Sequence, residues 1–376
     1  MKITVLGAGL IGRTIAIDLR DKYGADVVKS VDNSEAQLMN VPKGIRTCCV
    51  DLSGPIDTVI EESDLVVCAV PGFLGYHVMK QIIEAKKNVV DISFFKENPF
   101  SLHNLAKQNG VRAIIDAGVA PGMCNAILGN VYSQMDSVDS YECYVGGLPV
   151  FPKPPFNYKS PFCPDDVIQE YLRPSRLVEN GHVEVYPALS GREMIDSPGG
   201  QLEAFRTDGL RSLITTMSDK VPNMVEKTCR YPGHAELMAQ MKELGFFNEK
   251  ALHITTKMLK TAWKLDSYED EFTFMRVVVK GKRKNKPHES ACRKNDGLVV
   301  TYNLFDKYDG IFSSMARTTG FTVNACVSLI LDGTIQETGV LAPEIIGQDQ
   351  KVFDGIMKYL NERNVVYKVQ VNYTED

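Results

Sequence analysis

An apolar run, Ile3 to Leu6, meets Gly7, Gly9 and Gly12 in quick succession, and a helical pattern from Leu10 to Leu19 follows. This spacing admits few folds. Gly7 permits a tight turn, a bare Gly9 lets a diphosphate approach the backbone, and Gly12 lets the helix lie close on the strand. The N–H groups of the first helical turn, including those of Leu10 and Ile11, then face an anion, which the aligned peptide dipoles favour. A second apolar strand ends at Asp32, twenty positions after Gly12. An acid there is placed to accept hydrogen bonds from both hydroxyls of an adenosine ribose. Asn33 and Ser34 supply no positive charge for a 2′-phosphate, so the spacing predicts NAD rather than NADP.

Strand and helix alternate over the first third, which predicts a parallel, doubly wound sheet. Further strands are expected at Thr47 to Val50, followed by Asp51, then at Leu65 to Val70, Asn88 to Ile92 and Arg112 to Ile115. Ligands bind outside the carboxyl ends of such strands. That rule selects Asp51, Val70, Pro71, Phe73, Ser93 and Gly118 as cofactor contacts, with Asp116 at the same edge.

After about Gly122 the pattern changes. Alternation over Tyr141 to Val145 leads through Gly146 and Gly147 into a proline-rich stretch, Pro149 to Pro164. Strands are expected at Val183 to Tyr186, Phe272 to Lys280 and Gly297 to Leu304, and helices at Pro164 to Tyr171, Gly209 to Met217, Ala235 to Leu244 and Glu249 to Leu265. The basic tract Lys280 to Lys286 reads as a solvated hairpin tip, and Phe321 to Leu331 as an apolar helix returning to the first domain. The expected class is therefore α/β: a Rossmann domain over residues 1–122, a second α+β domain over 123–314, and a returning segment over 315–376.

The 376 residues carry a net charge of −5, which gives no electrostatic footprint for nucleic acid or an anionic membrane. No apolar run approaches the ~20 residues needed to span a bilayer. Nine scattered cysteines without a Cys-x-x-Cys pair suit reduced thiols, and no metal site is expected. A cytoplasmic protein acting on a small molecule is the resulting expectation.

Several stretches then converge. Ala69-Val70-Pro71-Gly72-Phe73-Leu74-Gly75, Asp91-Ile92-Ser93-Phe94, Asp116-Ala117-Gly118-Val119-Ala120-Pro121-Gly122-Met123, Tyr144-Val145-Gly146-Gly147-Leu148-Pro149, Arg230-Tyr231-Pro232-Gly233-His234 and Met315-Ala316-Arg317-Thr318-Thr319-Gly320-Phe321 resemble the saccharopine dehydrogenase-like oxidoreductases, and most of all the L-lysine 6-dehydrogenase branch. The resemblance implies a dinucleotide-linked oxidation at a carbon bearing nitrogen, with residues 123–314 as the substrate-binding and dimerisation domain of a homodimer. It implies Asp116 near the reacting amine, where a carboxylate can hold the cation and, if burial raises its pKa, accept a proton. His234 is a second acid/base candidate. Arg211, Arg230 and Arg317, with Thr318, are candidates for the substrate's α-carboxylate, which suits a guanidinium fork.

One departure bears on substrate. Saccharopine reductases resembling this chain carry Asn-Arg-Asp after an aromatic, where this chain reads Ala204-Phe205-Arg206-Thr207-Asp208-Gly209-Leu210-Arg211, so the arginine for the larger substrate is displaced. The expected activity is a lysine 6-dehydrogenase. The alternatives are a saccharopine dehydrogenase and, from another class, a dinucleotide-sensing regulator without turnover.

Overall fold

A computed structural model describes residues 1–266, 269–284 and 297–374. Contacts divide the chain into two compact units, Met1–Met123 with Met315–Asn364, and Cys124–Ser314 with Val365–Asp376.

The first unit is built on a parallel sheet. Its strands are β1 (Ile3–Leu6), β2 (Val28–Asp32), β3 (Arg46–Cys49), β4 (Leu65–Cys68), β5 (Asn88–Asp91), β6 (Arg112–Ile114) and, after the second unit, β15 (Gly339–Leu341). Their order is β15-β6-β5-β4-β1-β2-β3. The chain winds outward from β1 in one direction and from β4 in the other, so the strand order reverses between these two neighbours. Ligands of doubly wound sheets bind at such a reversal. The core joins Leu6, Val31, Val66, Val89 and Ala113 from the strands to Val78, Met79, Ile82 and Ile83 of the helix Gly72–Glu84. β1 and β4 are buried along their whole length, hence their continuous apolar sequence.

The second unit is a nine-stranded mixed sheet. It comprises β7 (Met135–Pro149), β8 (Ser175–Glu179), β9 (His182–Tyr186), β10 (Glu193–Ser197), β11 (Gly200–Arg206), β12 (Met224–Arg230), β13 (Glu271–Arg283), β14 (Gly297–Lys307) and β16 (Tyr367–Thr374). The main path runs β10-β11-β12-β7-β13-β14-β16, with β8 and β9 attached at β12. Trp263, Tyr171, Phe205, Phe272 and Phe274 lie at the centre of its core.

Several expectations are corrected. The strand β7 continues through Gly146 and Gly147, where a turn into loop was expected. A Cβ at Gly146 would come 2.5 Å from the Cys229 carbonyl oxygen, so this glycine serves a close strand approach. The helix expected over Gly209 to Met217 shrinks to Leu213–Thr216. Arg211 has φ of 51°, and a Cβ on Gly209 would collide with the Glu226 carboxylate, so the preceding residues follow a loop moulded to β12. The return to the first unit stops at Asn364, because residues after Val365 supply β16 and pair with β14. The strand β16 escaped sequence analysis, as did the helix Gln350–Asn361, which buries Val352, Phe353, Ile356, Tyr359 and Leu360. Each such apolar side chain contributes roughly 1.5–3 kcal/mol on burial. Of the basic tract, Lys280 to Arg283 belong to β13, while residues 285 and 286 lie outside the described residues.

Candidate dinucleotide site and the second unit's buried network

In the first unit the glycine loop fits its expected task. Gly7 takes φ of 102°, and a Cβ there would lie 2.3 Å from the Ala69 carbonyl oxygen, so the end of β1 passes tightly over the end of β4. A Cβ on Gly12 would lie 2.1 Å from the Gly7 oxygen, which fixes how closely the helix Leu10–Tyr23 lies on its strand. Gly9 differs from both. A Cβ there would meet nothing within 4 Å, so the backbone is bare toward open space at the helix start. The Gly9 carbonyl accepts the first helical bond, from Arg13 N at 2.9 Å. No acidic residue occupies that first turn, so the helix N-terminus keeps its affinity for an anion. Leu10 is exposed and Ile11 half-buried beside it.

Asp32 ends β2 and ties two loops together. Its Oδ2 accepts from Ala8 N at 2.7 Å, inside the glycine loop, and its Oδ1 from Ser34 N at 2.8 Å. A carboxylate offers about four acceptor positions, so capacity remains for ribose hydroxyls. Ser34 caps the short helix Glu35–Leu38 by accepting from Gln37 N.

The other expected cofactor contacts divide. Val70 is buried, Pro71 is half-buried, and Phe73 is 79% exposed on the first turn of the helix Gly72–Glu84, so Phe73 is not a core residue. Asp51 is exposed, and its carboxylate accepts from Ser53 N at 2.9 Å, which lowers its pKa. Ser93 is turned inward: its hydroxyl donates to Asp91 Oδ1, and a Cβ on Gly75 would press against it at 2.3 Å. A direct cofactor contact through that hydroxyl is therefore corrected to an internal one.

Asp116 follows β6 with φ of 49° and is 4% exposed. The loop after it is closed by Met123 N donating to Gly118 O at 2.8 Å. Thr319, on the helix Ser314–Leu331, comes within 3.4 Å of where a Gly118 Cβ would sit. On that helix Arg317 donates to the Arg363 carbonyl at 2.9 Å, and the buried Thr318 hydroxyl donates back to Met315 O at 3.3 Å. Both groups fasten the first unit internally.

The second unit holds Arg230 and His234 in a closed network, against the expectation of substrate contact. Arg230 Nη2 pairs with Glu170 Oε2 at 2.6 Å, its Nη1 donates to Cys229 O, and its plane lies over Tyr158. Its Nε donates to the Tyr171 oxygen at 3.2 Å. The His234 ring is fully buried, with Nδ1 2.8 Å from Phe156 O and Nε2 2.9 Å from the Tyr171 hydroxyl. A carbonyl only accepts, so Nδ1 carries the proton, and Tyr171 donates to Nε2. Burial, and then the charge of Arg230, pull the imidazole down to about 3. It is a neutral core histidine and unsuited to exchange protons with a ligand.

Arg211 is half-buried, three residues beyond an internal pair in which Arg176 Nε and Nη2 meet Asp208 at 2.8 and 2.9 Å. Next to it Thr207 donates to Glu226 Oε2 at 2.5 Å. Burial pushes Glu226 up to about 8, with the Thr207 hydrogen bond opposing the rise. Among the described residues no group of His, Cys, Asp and Glu could hold a metal ion.

Comparison with known proteins agrees with this architecture. A model described as the saccharopine dehydrogenase NADP binding domain matches residues 3–114, and one described as the saccharopine dehydrogenase C-terminal domain matches residues 118–366. The chain belongs to the saccharopine dehydrogenase family. An alpha-aminoadipic semialdehyde synthase of Arabidopsis thaliana is 26% identical over 51% of this chain, which spans 19% of that protein's length. The saccharopine dehydrogenase [NADP(+), L-glutamate-forming] of Saccharomyces cerevisiae is 20% identical over 97% of this chain and 98% of its own. The solved apo structure of the L-Glu-forming saccharopine dehydrogenase from Saccharomyces cerevisiae shares the fold, with a TM-score of 0.77 at 17% identity over 99% of each chain. The first unit of this family member thus binds a dinucleotide, and the bare Gly9 cradle is the feature that fits one.

Proposed function

We propose that the protein oxidises a small cationic amino acid at a carbon bearing nitrogen, with L-lysine as substrate and NAD as acceptor. The observation that carries the substrate is the loop after β11. Where saccharopine reductases resembling this chain carry an arginine between Asn and Asp, Thr207 is buried and its hydroxyl is spent on Glu226, so no guanidinium is offered there to a second, bulkier carboxylate. The preference for NAD rests on Asp32. Its charge disfavours a 2′-phosphate, and neither Asn33 nor the helix-capping Ser34 offsets it.

Gly7, Gly9, Gly12 and Asp32 would hold the dinucleotide, which supplies the hydride acceptor when bound. Asp116 holds the cationic amine by charge and takes a proton as the carbon–nitrogen bond gains double-bond character. Water then adds to the imine and ammonia leaves, giving the semialdehyde. All eight described cysteines are free thiols, which suits the cytoplasm, and among the described residues no helix is long and apolar enough to cross a membrane. The reading includes a homodimer, supported by the outward apolar row Val369, Val371 and Tyr373 on β16 and measurable by sedimentation.

The test is initial-rate formation of NADH with lysine alone and with saccharopine alone, repeated with NADP. NADH from lysine supports the reading, and reduction with saccharopine only overturns it. Saccharopine remains the second reading because the full-length yeast relative is named for it.

A further inference from the structure

Arg13 stands on the helix Leu10–Tyr23, one turn past the glycine cradle: its backbone N–H donates to Gly9 O at 2.9 Å, the bond that starts the helix. Gly9 and Arg13 are four positions apart and share a face, one above the other, and helical side chains lean toward the N-terminus. One turn rises about 5.4 Å, a length an arginine side chain spans. The space over Gly9, where a Cβ would meet nothing within 4 Å, therefore lies within reach of the Arg13 guanidinium. The buried face of the helix is a different one. Gly12, Ile15, Ala16 and Leu19 turn inward, and a Cβ on Gly320 of the helix Ser314–Leu331 would meet Ile15 at 3.2 Å and Thr14 at 3.6 Å.

The charge on Arg13 is unanswered within the protein. Its side chain is half-buried, burial alone lowers its pKa, and among the described residues its guanidinium makes no hydrogen bond or ion pair. The two acids of the same helix are taken by other arginines, Asp21 by Arg20 at 2.7 Å and Asp18 by Arg363 at 2.6 Å. A partly desolvated cation without a partner costs free energy, which an anionic ligand offsets.

We propose that Arg13 is a dinucleotide-binding residue whose guanidinium closes over the diphosphate held at Gly9. The inference rests on the reading of Gly9 as the place of the diphosphate. The peptide N–H groups of the helix start supply neutral donors and a partial positive charge, whereas a guanidinium supplies a full charge and a planar fork that meets two phosphate oxygens at once.

Calorimetric titration of wild type and R13Q with NAD, ADP-ribose and adenosine tests the assignment without turnover. R13Q is expected to bind NAD and ADP-ribose at least about tenfold more weakly, because a charge-assisted contact is lost, and to bind adenosine as the wild type does. Unliganded R13Q should melt no lower than wild type, since the charge it removes has no partner in the protein. Added salt should narrow the gap between the two proteins. Equal affinities for ADP-ribose overturn the proposal, as does a lowered melting temperature with affinity kept, which assigns Arg13 to the scaffold. A loss confined to NADP, titrated alongside, moves Arg13 to the 2′-phosphate and overturns the diphosphate contact. R13M, which keeps the apolar stem, serves should R13Q fail to fold. If the wild type itself binds ADP-ribose no more tightly than adenosine, the reading of the Gly9 cradle falls and this inference with it; a wild type that prefers ADP-ribose beside an R13Q that prefers it equally strikes Arg13 alone.

Discussion

In the first unit, the carboxylate of Asp32 at a strand end is met by backbone N–H groups, from Ala8 and Ser34. In the second unit, Glu170 on the helix Pro164–Leu172 and Asp208 just past β11 are met by guanidinium groups, from Arg230 and Arg176. Neutral donors steady a carboxylate without cancelling its charge, which stays usable by a ligand. A guanidinium cancels it, and the pair becomes part of the scaffold. The contrast separates residues that serve chemistry from residues that serve folding, and it can be broken by substitution.

The largest effect is expected at Glu170. Replacing it by Gln leaves the buried Arg230 charge without its carboxylate, a change that costs about 3 kcal/mol, at the lower end of the range because the Glu170 side chain keeps 23% exposure. Chemical denaturation should report that loss while NAD affinity, titrated in the folded protein, is unchanged. Loss of NAD affinity without loss of stability would place Glu170 in the site and dissolve the contrast.

Next come the glycines of the first unit, which test two costs against each other. In Gly12→Ala the new Cβ would sit 2.1 Å from backbone oxygen, and the helix must shift, costing about 1–3 kcal/mol of stability. Gly9→Ala meets open space, and its φ of −63° suits alanine. It should leave the melting temperature of the unliganded protein unchanged and weaken NAD binding at least about tenfold, or ~1.4 kcal/mol. Calorimetric titration with equal affinities for wild type and Gly9→Ala would remove the diphosphate from this loop.

These glycines also show what a sequence can disclose. Strand, glycine loop, helix and Asp32 are neighbours in the chain, and each residue acts through its own backbone geometry, so spacing alone exposes them. Arg230 and His234 looked equally chemical because their residue types are. Their partners, Glu170 and Tyr171, lie some sixty positions away, and no local pattern announces such a pairing. Ser93 failed for a related reason: its position at the strand end was legible, but the inward turn of its hydroxyl depends on Gly75 of another element. The strand β16 was hidden because its exposed alternation, Val369, Val371 and Tyr373, only acquires meaning once β14 supplies a partner.

A smaller effect is expected from acid. His234 binds its proton at about 3 when folded and near 6.5 when unfolded, so its contribution to stability is complete above about 6.5 and declines as pH falls toward 3. The slope is ~1.4 kcal/mol per pH unit at most. His234→Gln should flatten that slope in denaturation measured at a series of pH values. A histidine exchanging protons with substrate would instead move the pH profile of kcat/KM and leave the stability slope in place.

The smallest effect compares two aspartates near the same edge. Asp32 and Asp51 both follow strands, yet Asp32 accepts from the glycine loop itself while Asp51 accepts only from Ser53 in its own turn, among the hydrogen bonds described. Asp32→Asn removes the charge that repels a 2′-phosphate but keeps an oxygen for Ala8 N, so the preference for NADH over NADPH should narrow several-fold, within roughly 1 kcal/mol. Asp51→Asn should leave that ratio where it was, with stability within about 0.5 kcal/mol of wild type. Fluorescence titration with both reduced dinucleotides reads the comparison directly. If Asp51→Asn shifts the ratio as far as Asp32→Asn does, the ribose is read by both strand ends, and the selectivity belongs to the edge as a whole rather than to the carboxylate that also ties down the glycine loop.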